Sequence, residues 1–189
     1  MIRMNRIRVK LNKFSSGFSL AETLVALLIV LMVSSILVAG LPAAFQAYSK
    51  VVDGANAQVL LSTGATRIRD ELGFATDVYL RSDNTVNGYS QNGFYKQMTN
   101  KADSGIIINM KPSMDSTVSP SEVYLIPPKA STDSLVLSFG TITYNKEKSI
   151  FTVAGLEVKK GDNTLADLDK LIIRAVASPR VTDVPGGNP

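Results

Sequence analysis

The chain has no cysteine, histidine or tryptophan among its 189 residues. That removes a thiolate nucleophile, a Ser-His-Asp triad and every Cys/His zinc set. Carboxylates, serines and lysines remain, and three arrangements of acids stand out. Asp162, Asp167 and Asp169 lie close enough in sequence to meet around a cation, although acids at a turn and a helix start explain the same spacing. Asp83-Asn84-Thr85-Val86-Asn87-Gly88 has the opening rhythm of a calcium loop. Thr85 fills a usual acid or Asn position, however, and Phe94 stands where the closing Glu belongs, so the stretch reads as a surface turn. The third arrangement is one acid, Glu22, at the lip of the apolar run GFSLAETLVALLIVLMVSSILVAG, residues 17–40. Ser-Lys pairs are scattered, and neither an enzyme nor a cofactor is expected.

The element that positions Glu22 is a long apolar helix. From Thr23 through Ser49 no residue is charged, and Leu24 to Leu41 is the densest apolar part. At ~1.5 Å per residue that part spans about 27 Å, close to a ~30 Å hydrocarbon core. Arg3, Arg6, Arg8, Lys10 and Lys13 precede it with no acid among them, and the next cation is Lys50. This asymmetry places the N-terminus in the cytoplasm and the later residues outside. Without those five cations, fifteen basic residues face sixteen acidic ones. The net charge of +4 therefore belongs to the leader, and direct nucleic-acid binding is not expected. An ordinary signal peptide would be cut near Val38-Ala39-Gly40 or Pro42-Ala43-Ala44. It would gain nothing from Glu22, because an acid costs about 2.5–3.5 kcal/mol at the bilayer centre.

Lys13-Phe14-Ser15-Ser16-Gly17-Phe18-Ser19-Leu20-Ala21-Glu22 resembles the class III leader of type IV pilins and type II secretion pseudopilins. In that family a basic leader ends in Gly, Phe follows, and Glu is fifth in the mature chain. The resemblance covers about residues 10–41. It implies cleavage between Gly17 and Phe18 by a membrane prepilin peptidase, with N-methylation of Phe18. Since the cut precedes the apolar helix, the helix would be kept as an anchor until a cytoplasmic ATPase drives extraction through an inner-membrane assembly platform. The resemblance also pairs Glu22 with the Phe18 amine of a neighbouring subunit, which would set axial register much as a buried polar residue does in a coiled coil. Leu24, Leu27, Leu28, Leu31 and Ile36 would exchange lipid contacts for helix contacts. Two departures stand out. Ala39 holds a place where many major pilins have Pro, with Pro42 nearby, and the disulfide-closed C-terminal loop of many pilins cannot form without cysteine.

Helical spacing continues beyond the apolar run. Tyr48, Val52, Ala55 and Val59 form one stripe, and Leu61, Ala65, Ile68, Leu72 and Ala75 another. A helix is expected from Phe18 to about Thr76, with Pro42 bending or loosening it and Gly54 or Gly64 as places to break. Arg67 and Glu71, at i,i+4, would form a solvated pair. Short strands follow around Val78–Leu80, Gly105–Ile108, Val123–Ile126, Ser134–Phe139, Thr141–Tyr144, Ser149–Val153, Gly155–Lys160 and Leu171–Val176. Asn145–Lys148 and Gly161–Asn163 read as turns, Arg81–Ser104 as a polar surface loop, and Thr164–Asp169 as a short helix.

The expected fold is α+β, a long N-terminal helix packed by its second half on a small, mostly antiparallel sheet. The expected segments are a basic leader (1–17), a membrane and assembly helix (18–41), its continuation (42–76), a β-rich head (77–177) and a loose tail (178–189). The resulting expectation is a minor pilin or pseudopilin of a type IV pilus, competence pseudopilus or secretion filament. A secreted or membrane-anchored surface binding protein is the alternative.

Overall fold

The structure, a computed structural model, describes residues 19–102, 104–127 and 134–184. It consists of one long N-terminal helix followed by a mostly antiparallel β-sheet head, an α+β fold. Two compact units divide the chain, one ending at Tyr48 and the other beginning at Ser49.

Helix α1 is Leu20–Gly73. It runs unbroken through Gly40, Pro42, Gly54 and Gly64. Proline costs an interior helix one hydrogen bond and a steric clash, and the bonded turns on either side carry the helix past Pro42. The helix ends on Gly73, whose carbonyl accepts from the Val176 amide at 2.8 Å, while the Ala75 amide reaches the Leu72 carbonyl at 3.2 Å. The chain itself thus satisfies part of the helix terminus.

In the unit from Ser49 onward, α1 buries Ala57, Leu60, Leu61, Gly64, Ile68, Leu72 and Gly73, and all but Gly73 form one stripe in which each residue has a buried neighbour three or four positions away. Of the second expected stripe, Leu61, Ile68, Leu72 and Ala75 are buried and Ala65 is partly so. Of the first, Ala55 and Val59 are exposed and Val52 is half-buried.

The first sheet holds β1 (Asp77–Leu80), β2 (Val86–Gln91), β3 (Phe94–Lys101), β4 (Gly105–Lys111), β5 (Ser121–Tyr124) and β10 (Arg180–Asp183), ordered β10-β1-β2-β3-β4-β5. The stretch read as a surface loop therefore contains two paired strands. Polar residues hid their alternation, and the turn between them is Asn92-Gly93 with φ of 53° and 79°. Positive φ at both positions matches the twist of a two-residue hairpin. The segment read as a loose tail also differs, since Arg180–Asp183 pairs in parallel with Asp77–Leu80. The isolated edge of β1 supplies that partner, which no local pattern foretells.

The second sheet holds β6 (Leu135–Ser138), β7 (Thr141–Asn145), β8 (Ile150–Lys160) and β9 (Asn163–Arg174). Both β6 and β7 pair with the same side of β8, while β9 runs antiparallel along the other. The expected helix over Thr164–Asp169 is instead part of β9, because pairing with β8 satisfies its backbone. Along β8, Phe151 and Val153 are buried before Gly155, and Leu156 and Val158 after it. Gly155 has φ +63° and resets which face points inward.

Gly88 is covered by the Tyr95 ring, and Tyr95 meets Tyr79 edge-on at 5.2 Å. A Cβ at Gly88 would stand 2.6 Å from Tyr95 Cε2. Gly88→Ala is therefore expected to lower stability by about 1–3 kcal/mol through overpacking, measured by denaturant unfolding of the full chain in detergent.

Candidate anchoring and assembly segment

Glu22 sits in the first turn of α1. Its backbone amide donates to Ser19 Oγ at 3.2 Å, and the Ser19 amide donates to Glu22 Oε2 at 3.1 Å. This reciprocal pair is a capping box, which satisfies two amides that a helix start leaves without partners. Such caps contribute about 0.5–2 kcal/mol, and the helix dipole favours the carboxylate by about 0.3–1 kcal/mol more. The Ser19-x-x-Glu22 spacing carries the signal of this cap in the sequence, and reading Glu22 for its charge alone misses it. Among the described residues, no lysine or arginine forms an ion pair with Glu22. Gly17 and Phe18 lie outside the described residues.

Every residue of α1 from Leu20 to Val51 is exposed. Leu24, Leu27, Leu28, Leu31 and Ile36 are each between 58% and 70% exposed; the four leucines, at i, i+3, i+4 and i+7, share one face of the helix, and Ile36 lies off it. The most apolar 18-residue window has a mean hydropathy of 2.9, so the helix is long and apolar enough to cross a membrane. Two polar side chains in this part turn back onto their own helix. Thr23 Oγ1 donates to the Leu20 carbonyl at 2.9 Å and Ser35 Oγ to the Met32 carbonyl at 2.7 Å. Internal satisfaction of this kind is what a hydrocarbon environment demands.

No protein-family model, curated protein or solved structure matches this chain.

The other acids do not assemble into a site. Asp162 occupies the turn between β8 and β9, while Asp167 and Asp169 are exposed two residues apart on β9. Among the described residues, no three acids converge to hold a metal ion. Asp162, Asp167 and Asp169, the weak cation candidates of the sequence, are spread along the β8–β9 turn and an extended strand instead of being gathered by a turn and a helix start. Asp83 accepts from the Thr85 amide at 3.0 Å and from the Thr85 hydroxyl. These hydrogen bonds hold its carboxyl below the usual range, as a surface turn requires.

Glu71 turns inward, away from the expected pairing with Arg67. Its Oε2 accepts from Lys96 Nζ at 2.8 Å and from the Tyr89 hydroxyl at 3.2 Å. Lys96 Nζ also donates to Gln91 Oε1 at 2.5 Å, and Gln91 Nε2 reaches the Asp70 carbonyl at 3.3 Å. The Lys96 side chain is only 8% exposed. Sequence reading missed this network because Gln91 and Lys96 looked like surface residues of a loop. Their signal was the Asn92-Gly93 turn, which places Tyr89 opposite Lys96.

Burial, then the nearby Glu71, pushes the Tyr89 phenol well above its ordinary value. The folded state therefore holds this proton more tightly than the unfolded chain, whose phenol ionises near 10. The stabilisation is complete below that pH and is lost as pH rises toward the folded value. Tyr89→Phe is expected to flatten part of the fall in melting temperature above about pH 10, measured alongside tyrosinate absorbance.

Proposed function

We infer that this chain is a pilin-like structural subunit, a minor pilin or pseudopilin, of a type IV pilus, competence pseudopilus or type II secretion-like filament. Prepilin peptidase cuts between Gly17 and Phe18 and methylates the Phe18 amine. The retained helix holds the subunit in the cytoplasmic membrane, N-terminus inside, until the assembly platform passes it into a filament with sister subunits. One observation carries the reading: a lone acid, Glu22, caps a helix start just behind a basic leader that ends in Gly17 with Phe18 next, and the apolar part of the helix that follows is exposed throughout. The capping box accounts for the position of Glu22 at the helix start, and its charge is left for an amine brought by a neighbour. The fold adds support, because apolar helix residues in the first unit need lipid or other helices to cover them.

Mass spectrometry of the native protein tests this directly. The expected chain begins at N-methylated Phe18, and replacing Gly17 leaves the leader attached. A chain beginning near Leu41 or Phe45 makes it a secreted binding protein, and one beginning at Met1 makes it an anchored surface protein. Either result overturns the filament reading.

A further inference from the structure

On the inner face of the β2–β3 hairpin an amine, a carboxamide and a carboxylate meet largely out of water. The Asn92-Gly93 turn sets Tyr89 opposite Lys96, and Gln91, two residues on from Tyr89, faces the same way. Gln91 and Lys96 are each 7% exposed. Lys96 Nζ lies 2.5 Å from Gln91 Oε1 and 2.8 Å from Glu71 Oε2. A carbonyl bond is about 1.2 Å long, so Nζ stands no more than about 3.7 Å from the electrophilic carbon, Gln91 Cδ. Glu71 is held in turn by the Tyr89 hydroxyl at 3.2 Å, and Gln91 Nε2 by the Asp70 carbonyl at 3.3 Å. An amine, a base within hydrogen-bond reach of it and a third group that orients the base form the set that activates a nucleophile. Here the acyl group that such a nucleophile would attack belongs to the same cluster.

We propose that this cluster is a self-modifying site, at which Gln91 Cδ acylates Lys96 Nζ to give an ε-(γ-glutamyl)lysine bond across the hairpin. Glu71 takes a proton from the Lys96 ammonium. The freed nitrogen lone pair attacks Cδ, once the Gln91 amide turns its face to it, forming the C–N bond as the carbonyl pair moves onto Oε1. When that pair returns, the Cδ–Nε2 bond breaks. Both protons that the lysine nitrogen gives up pass through Glu71 to Nε2, which leaves as ammonium. Nothing is oxidised or reduced and the carboxylate is regenerated, so the step needs no cofactor and no second enzyme. Position favours it, because reactants held about 3–3.5 Å apart need no collision. Burial favours it as well, since a lysine charge kept from water is costly and the bond leaves a neutral amide. Glu71, 25% exposed, gives the ammonium a way out. The ion pair of Lys96 with Glu71 is the reactant arrangement for this step. The bond is a property of the head and does not depend on what the chain assembles with.

The full chain, folded in detergent and then denatured and digested with trypsin, tests this by peptide mass. Without the bond, cleavage after Arg81, Lys96 and Lys101 gives separate peptides 82–96 and 97–101. The parent is expected to give one peptide, 82–101, uncut at Lys96, lighter than its sequence by one ammonia, and yielding no fragments between Gln91 and Lys96. Glu71→Gln keeps the size of the side chain but takes no proton, and Gln91→Met removes the acyl group. Each is expected to restore cleavage at Lys96 and the full mass. The parent digest decides the existence of the bond whether or not the variants fold. The bond is refuted if the parent is cut at Lys96 and keeps its full mass. It is refuted too if the missing ammonia maps to Asn87 or Asn92, each followed by glycine and able to close on its own backbone, while Lys96 is still cut. Loss of water with a link to Glu71 overturns the assignment of the acyl group to Gln91. A link that persists in Glu71→Gln overturns the proton transfer through Glu71.

Discussion

Glu71→Leu, with Lys96 left in place, is expected to destabilise the head by about 3–5 kcal/mol, the usual result of stranding one member of a buried ion pair. Lys96 is held from water, and its remaining acceptor is Gln91 Oε1. Tyr89 loses its acceptor in the same step, leaving a buried hydroxyl with nothing to donate to. For a chain of this size the corresponding fall in melting temperature is roughly 6–20 °C. Adding Lys96→Met should recover most of it, since the buried charge disappears with the acid. Denaturant unfolding of parent, single and double variants completes the cycle. A single variant within about 1 kcal/mol of the parent, the range of a solvated pair, would show that water reaches Lys96 and that the network carries little.

The second large effect concerns Glu22, where two roles overlap. Glutamine can keep the capping box with Ser19, since either Glu or Gln serves at that position, but it brings no charge. Alanine removes both. Under the filament reading, Glu22→Gln should be processed normally and keep helix content, yet enter filaments more than about a hundredfold less well. That is the scale of losing an ion pair worth about 3–5 kcal/mol away from water. Glu22→Ala should match that defect and also lose about 0.5–2 kcal/mol of helix-start stability. Quantifying processed subunit in sheared filaments against the membrane fraction separates the two. If the Gln variant enters filaments like the parent, the carboxylate serves the cap alone.

Much of the architecture was readable from local pattern. The uncharged run after Glu22, the three-and-four spacing of Leu61, Ile68 and Leu72, and the β-branched clusters around Ile107, Val136 and Ile173 each express a periodicity that burial enforces. The Asn145–Lys148 turn was legible for the same reason, with the Asn145 side chain accepting from the Lys148 amide at 2.9 Å. Strands β2 and β3 were not, because their buried faces include Gln91 and Lys96, which read as solvent-facing until a partner for each is known. Strand β10 was missed because the backbone partner of its four residues is the edge of β1, about a hundred residues earlier.

What the sequence alone determined is the segment order and the character of α1, an apolar first part with one acid at its start, then an amphipathic stretch leading into short strands. Composition and period settle these, because they depend on neighbours a few residues away. The tertiary structure alone decided that Glu71 meets Lys96 and Asp53 meets Lys160, and that Asp162, Asp167 and Asp169 stay dispersed. A side chain of given type is equally at home in water or in a pair, and only the packing of distant segments determines which charges are taken out of water and must find one another.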